Sequence, residues 1–161
     1  MTLAYAIAPR GHRAYGSVPR NHGRNSTLIA ALTLEGIGAT TVLEGALTAA
    51  SFVTFVRDVL CPTLRPGQIV ILDNLSCHKD ATARRLVEGR GCRLLFLPSY
   101  SPDFSPIESA FAKIKAYLRR LAARTTAALL TALAHAVTLI TAQDAQGFFS
   151  HCGYRLEAQL A

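Results

Sequence analysis

The chain has 161 residues, of which 50% are hydrophobic and 17% charged, a composition typical of one globular domain and not of a disordered segment. No apolar run reaches the ~18 residues that a membrane span requires, and no basic residue precedes the first apolar patch, which excludes a signal peptide. The formal net charge of +7 favours a polyanionic partner, usually nucleic acid. None of the four cysteines forms a C-x-x-C pair, so we expect free thiols and not a zinc site.

The N-terminal part of the sequence predicts a basic loop, a hairpin and a helix. Residues 9–26 combine Gly and Pro with Arg and His, which indicates an irregular basic segment. Residues 27–34 and 39–43 predict two antiparallel strands joined by a Glu-Gly turn. Apolar side chains at helical spacing predict an amphipathic helix over residues 49–60, stopped by Pro62.

The remaining segments predict two buried strands within a set of helices. The continuous apolar runs at residues 68–72 and 93–97 are typical of strands in the interior of a parallel sheet. Helices are expected at residues 81–90, 106–123, 125–141 and 142–150. This order predicts an α/β fold with a mixed sheet flanked by helices.

Asp73 is the first candidate for chemistry because it directly follows the strand at residues 68–72. Ligands of open α/β sheets bind at the carboxyl ends of strands. An ordinary turn remains an alternative, since Asp73-Asn74 is a favourable turn pair.

Glu108 is the second candidate, and local structure alone could explain it. Ser105 is a suitable N-cap and Pro106 a suitable first helical residue, so Glu108 would complete a capping box. The alternative is a metal-binding carboxylate, because phosphodiester chemistry uses carboxylates from separate elements to hold Mg²⁺.

Two motifs resemble those of DDE transposases related to mariner elements. Residues 71–79, ILDNLSCHK, resemble the family's "DN…HK" motif, and residues 97–108, LPSYSPDFSPIE, resemble its "LPPYSPDLNPIE" motif. The 34 residues between Asp73 and Glu108 match the spacing of this group. The resemblance extends over nearly the whole chain and is greatest to the insertion sequence 630 family of bacterial elements.

This resemblance implies a ribonuclease-H-like fold and an activity that cuts DNA at element ends and joins the 3′ hydroxyl to target DNA. It assigns Asp73 as the second and Glu108 as the third catalytic acid, which together with the first would bind two Mg²⁺ or Mn²⁺ ions. Asn74 and His78 would support the site, although His78 could equally be a packing histidine. Ser105 replaces the family's Asn before Pro-Ile-Glu; both are good N-caps.

The sequence departs from the family pattern at its N-terminal end. The family's first Asp lies on its first strand, whereas no acid precedes Glu35 in this chain. The resemblance therefore implies a catalytic domain over residues 1–161 that is incomplete at the N-terminus, without its central first strand. The alternation of Leu3, Tyr5 and Ile7 suggests that residues 2–8 fill part of that gap.

Basic residues follow the Glu108 motif along the predicted helix. Lys113, Lys115, Arg119 and Arg120 lie outside its apolar stripe and, with Lys79, are candidates for DNA contact. The alternative is a solvated helix face.

Three functions remain open at this point. The first is a metal-dependent DNA transposase domain that is inactive as this chain, with DNA and a second copy of itself as partners, located in the cytoplasm at the nucleoid. The second is a DNA-binding remnant or a pairing module for an intact transposase. The third is a ribonuclease-H-like nuclease with another acid in the third position.

Overall fold

The computed structural model describes residues 7–15 and 25–155. The first regular structure is a hairpin of β1 (Ser26–Thr33) and β2 (Gly36–Glu44), paired antiparallel with an irregularity near Leu32. Gly36, at the turn, has φ 126°, and a Cβ there would lie 2.6 Å from the carbonyl oxygen of Ile140. Only glycine therefore allows the turn to approach the backbone at Ile140 so closely.

The helix predicted over residues 49–60 is present, but only its first half is α-helical. α1 (Ala49–Phe55) continues as a π-helical turn, Val56–Leu60, and then as a 3₁₀ turn, Cys61–Thr63. The helical segment ends around Pro62, which has no N–H to continue the hydrogen-bond ladder.

A β-α-β unit follows, as the apolar runs predicted. β3 (Ile69–Leu72) and β4 (Arg93–Phe96) pair in parallel, in a register that places Ile69 opposite Arg93. They are connected through α2 (Ala81–Glu88). Parallel strands require such a crossover connection.

Three helices complete the domain: α3 (Pro106–Leu121), α4 (Thr126–Thr138) and α5 (Ala142–His151). All three were predicted, with boundaries that differ by one to three residues. α3 ends at Ala122, which adopts the left-handed conformation with φ 48°, a common way to terminate a helix.

The hairpin divides two hydrophobic clusters because alternate side chains of a strand point to opposite faces. Ile29 and Ala39 face the first cluster, which also contains residues of α1, α2, β3 and β4. Leu28 and Leu32 face the second cluster, which is formed mainly by α3 and α4. The helices of the C-terminal half therefore pack against the hairpin.

The predicted α/β class is confirmed, and the strands of residues 25–155 form two separate pairs. Within residues 25–155, β1 pairs only with β2 and β3 only with β4. Residues 2–6 of the predicted strand and residues 16–24 of the predicted basic loop lie outside the described residues. In the described part of the chain no single helix is long and apolar enough to cross a membrane, and the pair that passes together, α4 and α5, is bent by 75°.

Candidate active site

Asp73 lies directly after β3 and is held by its neighbours. Its Oδ1 atom accepts a hydrogen bond from the Leu75 N–H at 3.2 Å and lies 2.6 Å from Nδ1 of His78. The His78 ring is packed against Phe52, with 4.4 Å between ring centroids, and its side chain is 13% exposed, against 46% for Asp73. His78 is therefore both a packing residue and a support for Asp73, the two roles that the sequence left open.

A side-chain hydrogen bond joins the Asp73 loop to the loop that leads to Glu108. Nδ2 of Asn74 donates to Oγ of Ser99 over 2.7 Å. These loops follow β3 and β4, whose carboxyl ends lie at one edge of the parallel pair. The sequence nominated Asn74 as a supporting residue, but its partner 25 residues away could not be read from the motif.

The predicted capping box at the start of α3 is wrong. Ser105 is the N-cap, but its side chain makes no capping hydrogen bond, and the Glu108 N–H instead donates to the Ser105 carbonyl over 3.1 Å. Thr48 and Thr141, which do form capping boxes, have ψ near 165° (163° and 167°), whereas Ser105 has ψ 94°. Ser105 also closes the preceding 3₁₀ turn through its N–H to Pro102, which constrains its backbone away from the capping conformation.

The failed cap leaves the Glu108 carboxylate available. Glu108 is exposed, and across residues 7–15 and 25–155 no hydrogen bond or ion pair engages its side chain. It projects from the first turn of α3, where the helix dipole favours negative charge. A capping box therefore does not explain Glu108, although its place in the first turn is favourable for an acid, and its role as a metal ligand stays a prediction.

Glu108 borders an open cavity of about 390 Å³. Asp103, His151 and Cys152 also line it, and burial together with the charge of Asp103 raises the pKa of the Cys152 thiol. Just beyond α5, the Tyr154 hydroxyl donates to the Phe104 carbonyl over 2.8 Å. The end of α5 thus forms part of the cavity wall, a contribution that no local pattern indicated.

The residues suit Mg²⁺ or Mn²⁺ in kind but not in number. Carboxylate oxygens are the ligands that these hard ions prefer, and Oδ2 of Asp73 and the Glu108 carboxylate have no hydrogen-bond partner among the described residues. However, no group of three or more His, Cys, Asp or Glu side chains in that part of the chain is placed to hold a metal ion.

The basic candidates differ in their surroundings. Nζ of Lys113 lies 2.7 Å from Oδ2 of Asp144 and links α3 to α5. The other candidates are exposed and form no ion pair among residues 25–155: Lys79, Lys115, Arg119 and Arg120. The partners of this ion pair are 31 residues apart in the sequence. The periodicity of α3 therefore could not show that Lys113 is paired while the other basic candidates are not.

A family model described as DDE superfamily endonuclease matches residues 1–129. The chain belongs to the DDE endonuclease superfamily. Comparison with curated proteins finds no match.

Solved structures similar to this DDE domain include complexes of Mos1. The Mos1 mariner paired end complex with Mn is 16% identical, with a TM-score of 0.66, covering 92% of this chain and 46% of that chain. The Mos1 strand transfer complex is 18% identical, with a TM-score of 0.54, covering 95% of this chain and 51% of that chain. These likenesses show the fold, which is the ribonuclease-H-like α/β fold that the sequence predicted. The chain spans about half the length of the structures it matches.

Proposed function

We propose that this DDE domain is the catalytic domain of a bacterial insertion-sequence transposase of the 630 family, with Asp73 and Glu108 as its second and third metal-binding carboxylates. The hydrogen bond between Asn74 and Ser99 carries the proposal, because it ties the loop of one acid to the loop that leads to the other. The Glu108 carboxylate supports it, because it is exposed and has no partner among the described residues.

The residues of the site have separate tasks in this proposal. His78 and the Leu75 N–H engage one oxygen of Asp73 and leave the other for a metal ion, while Glu108 offers its carboxylate from the end of a rigid helix. When bound, Mg²⁺ or Mn²⁺ supplies activation of water or a 3′ hydroxyl for in-line attack on phosphorus and neutralises the developing charge. Ser105 shapes the entry to α3.

The DNA-binding part of the proposal rests on the exposed cations. Lys79, Lys115, Arg119 and Arg120 would contact phosphates, a sequence-independent interaction that weakens with salt. The same proposal includes two partners, DNA and a second copy of the chain. It also places the protein in the cytoplasm, at the nucleoid.

Asp73 and Glu108 alone are an incomplete donor set, since the family uses three acids. Two neighbouring carboxylates without a metal repel each other and hold a divalent ion weakly. We therefore expect no DNA cleavage or joining by this chain on its own.

A second function, a pairing module that joins an intact transposase, has one observation in its favour. Within residues 25–155, β1 and β3 each have only one partner strand, and a strand edge without a partner can accept a strand from another chain.

Metal titration combined with a cleavage assay tests the first function. Mn²⁺ should raise the unfolding temperature of the chain slightly, because an ion that binds only the folded state stabilises it. Asp73→Asn and Glu108→Gln should each abolish the increase, while Asp103→Asn, which changes another acid at the cavity, should retain it. Plasmid DNA should stay uncut in all four proteins.

Two outcomes would contradict this proposal in different ways. An Mn²⁺ effect that survives both Asp73→Asn and Glu108→Gln would remove these residues from the metal site. Robust cleavage that is lost in Asp73→Asn would show that another acid of this chain completes the site.

A further inference from the structure

Tyr100 lies in the turn at residues 99–100 and occupies a backbone conformation that is unfavourable for a large side chain, at a position where turns usually place Gly or Asn. Among the described residues only Tyr100 and Ala122 combine a side chain with a positive φ, 57° and 48°. Ala122 terminates α3, for which this conformation is ordinary. Tyr100 terminates no helix, and its side chain is fully exposed to solvent. Such strained residues persist when the surroundings fix them, and they cluster at functional sites.

The loop around Tyr100 is anchored on both sides. Ser99 accepts the hydrogen bond from Asn74, and Oγ of Ser101 donates to the Ser99 carbonyl over 3.3 Å. The Ser101 carbonyl then accepts from the Phe104 N–H in the 3₁₀ turn that precedes α3. The ring is therefore carried by a fixed loop between the Asp73 loop and Glu108.

The surroundings of Tyr100 favour a base over a phosphate as its contact. The sequence has no Lys or Arg between Arg93 and Lys113, so this stretch offers no side-chain cation for a phosphate. It offers exposed apolar surface, since Phe104 is 51% exposed and Leu75, in the Asp73 loop, is 52% exposed. Aromatic side chains bind single-stranded nucleic acid by stacking on bases, whatever the base.

We propose that Tyr100 stacks on an unpaired base of the DNA strand whose phosphate lies at Asp73 and Glu108. The inference rests on the proposed function and adds the form of DNA that the site accepts. Stacking requires a base that is no longer paired within the duplex. The site therefore binds DNA that is locally single-stranded. The anchored loop contributes by holding the backbone of Tyr100 in place before DNA arrives, which lowers the entropy lost on binding.

A second exposed tyrosine, Tyr15, provides a control for the effect of exposure alone. Tyr15 is 89% exposed but has no positive φ and lies outside the two motifs. A ring that acts only as general apolar surface would behave alike at both positions.

The test measures binding of the full chain to a fluorescein-labelled oligothymidylate and to a duplex of equal length, in EDTA, by fluorescence anisotropy. Tyr100→Ala should weaken single-strand binding roughly five- to a hundredfold and leave duplex binding unchanged. Tyr100→Phe should retain single-strand binding, because it keeps the stacking face. Tyr15→Ala should bind both forms as the unmodified chain does.

Tyr100→Gly separates stacking from folding. Glycine adopts positive φ without strain, so this variant should unfold at the same temperature as the unmodified chain or higher, yet lose single-strand binding like Tyr100→Ala. A lower unfolding temperature in both Tyr100→Gly and Tyr100→Ala would show that the ring supports the fold, and would overturn the proposal; a decrease in Tyr100→Gly alone would reflect the backbone entropy of glycine. Unchanged single-strand binding, an equal loss for duplex, or no DNA binding by the unmodified chain would also overturn it.

The assay contains no divalent metal, so its failure is distinguishable from failure of the metal site. If Tyr100 proves irrelevant while the Mn²⁺ effect depends on Asp73 and Glu108, only the stacking proposal falls. If the Mn²⁺ effect is independent of both acids, the metal site falls and the stacking result stands by itself.

Discussion

Nδ1 of His78 lies 2.6 Å from Oδ1 of Asp73 while the His78 ring packs against Phe52 of α1. Phe52 is only 2% exposed, so the orientation of an exposed carboxylate is set from the hydrophobic core. A change in the core at this point should therefore reach Asp73 through a single intervening side chain.

Substitutions of His78 should separate packing from support. His78→Phe keeps an aromatic ring against Phe52 and removes the bond to Asp73, so it should lower the free energy of unfolding by about 1 kcal/mol. His78→Ala removes both and should lower it by about 2–3 kcal/mol. Urea unfolding followed by circular dichroism measures both values, and equal losses in the two variants would show that the ring does not stabilise the core.

The salt dependence of DNA binding should identify which cations contact phosphate. Replacing Lys115, Arg119 and Arg120 with Ala should reduce the slope of log affinity against log salt by roughly 0.9 for each phosphate that the protein no longer neutralises. Lys113→Ala should change the slope little, because Asp144 already neutralises Lys113.

A control with equal charge loss makes the salt experiment decisive. Replacement of Arg85, Arg90 and Arg93 with Ala removes three exposed positive charges elsewhere on the domain, none of which forms an ion pair among residues 25–155. An equal change of slope in this control would show that only net charge matters and that α3 is not the DNA surface.

Asp144 should make stability depend on pH in acid. Hydrogen bonds from Lys113 and Thr141 lower the pKa of Asp144 from 3.8 to about 2. A folded-state pKa below the unfolded value stabilises the fold above pH 3.8, and this contribution disappears as the pH falls through about 2.

The matching variant is Asp144→Asn, which at neutral pH should be less stable by about 1 kcal/mol, since an exposed ion pair contributes little more. Lys113→Met should show a similar loss. Thermal unfolding over a series of pH values should show the difference between Asp144→Asn and the unmodified chain shrink from pH 4 towards pH 2. A difference that is constant over this range would mean that the pair contributes no pH-dependent stability.

We expect the isolated chain to be poorly stable, because among residues 25–155 the strands β1 and β3 each have only one partner. Exposed strand edges favour association between chains, and total domain stability is only about 5–15 kcal/mol. We expect a broad thermal transition by circular dichroism and concentration-dependent association in size-exclusion chromatography. A sharp, cooperative transition in a monomer would contradict this expectation, and would indicate that part of the chain outside residues 7–15 and 25–155 completes the sheet.

Elements with strong periodicity or a clear turn were predicted from the sequence with small errors. The hairpin, the two parallel strands and the three C-terminal helices are all present, because their apolar patterns coincide with the faces that they bury. Periodicity could not show that α1 changes to a π-helical turn at Val56, since both forms bury a similar stripe.

The site shows where sequence reasoning stops. The motifs nominated Asp73, Glu108 and His78, and His78 does contact Asp73. The capping box does not form because the preceding 3₁₀ turn fixes the backbone of Ser105. The preference of serine for N-cap positions gives no information about that constraint. The pairs Asn74 with Ser99 and Lys113 with Asp144 depend on how separate elements pack, so no local pattern could reveal them.

The hydrogen bond from Tyr154 to the Phe104 carbonyl has a consequence for protein synthesis. The end of α5, which lines this cavity, is in the last portion of the described chain to leave the ribosome. The cavity therefore cannot form while the chain is still being made. A stop codon or a change of reading frame between α3 and Tyr154 would yield a product that retains Asp73 and Glu108 in its sequence. Such a product would carry an unsupported loop ahead of Glu108, and detecting the two acids in a gene would then not indicate a formed site.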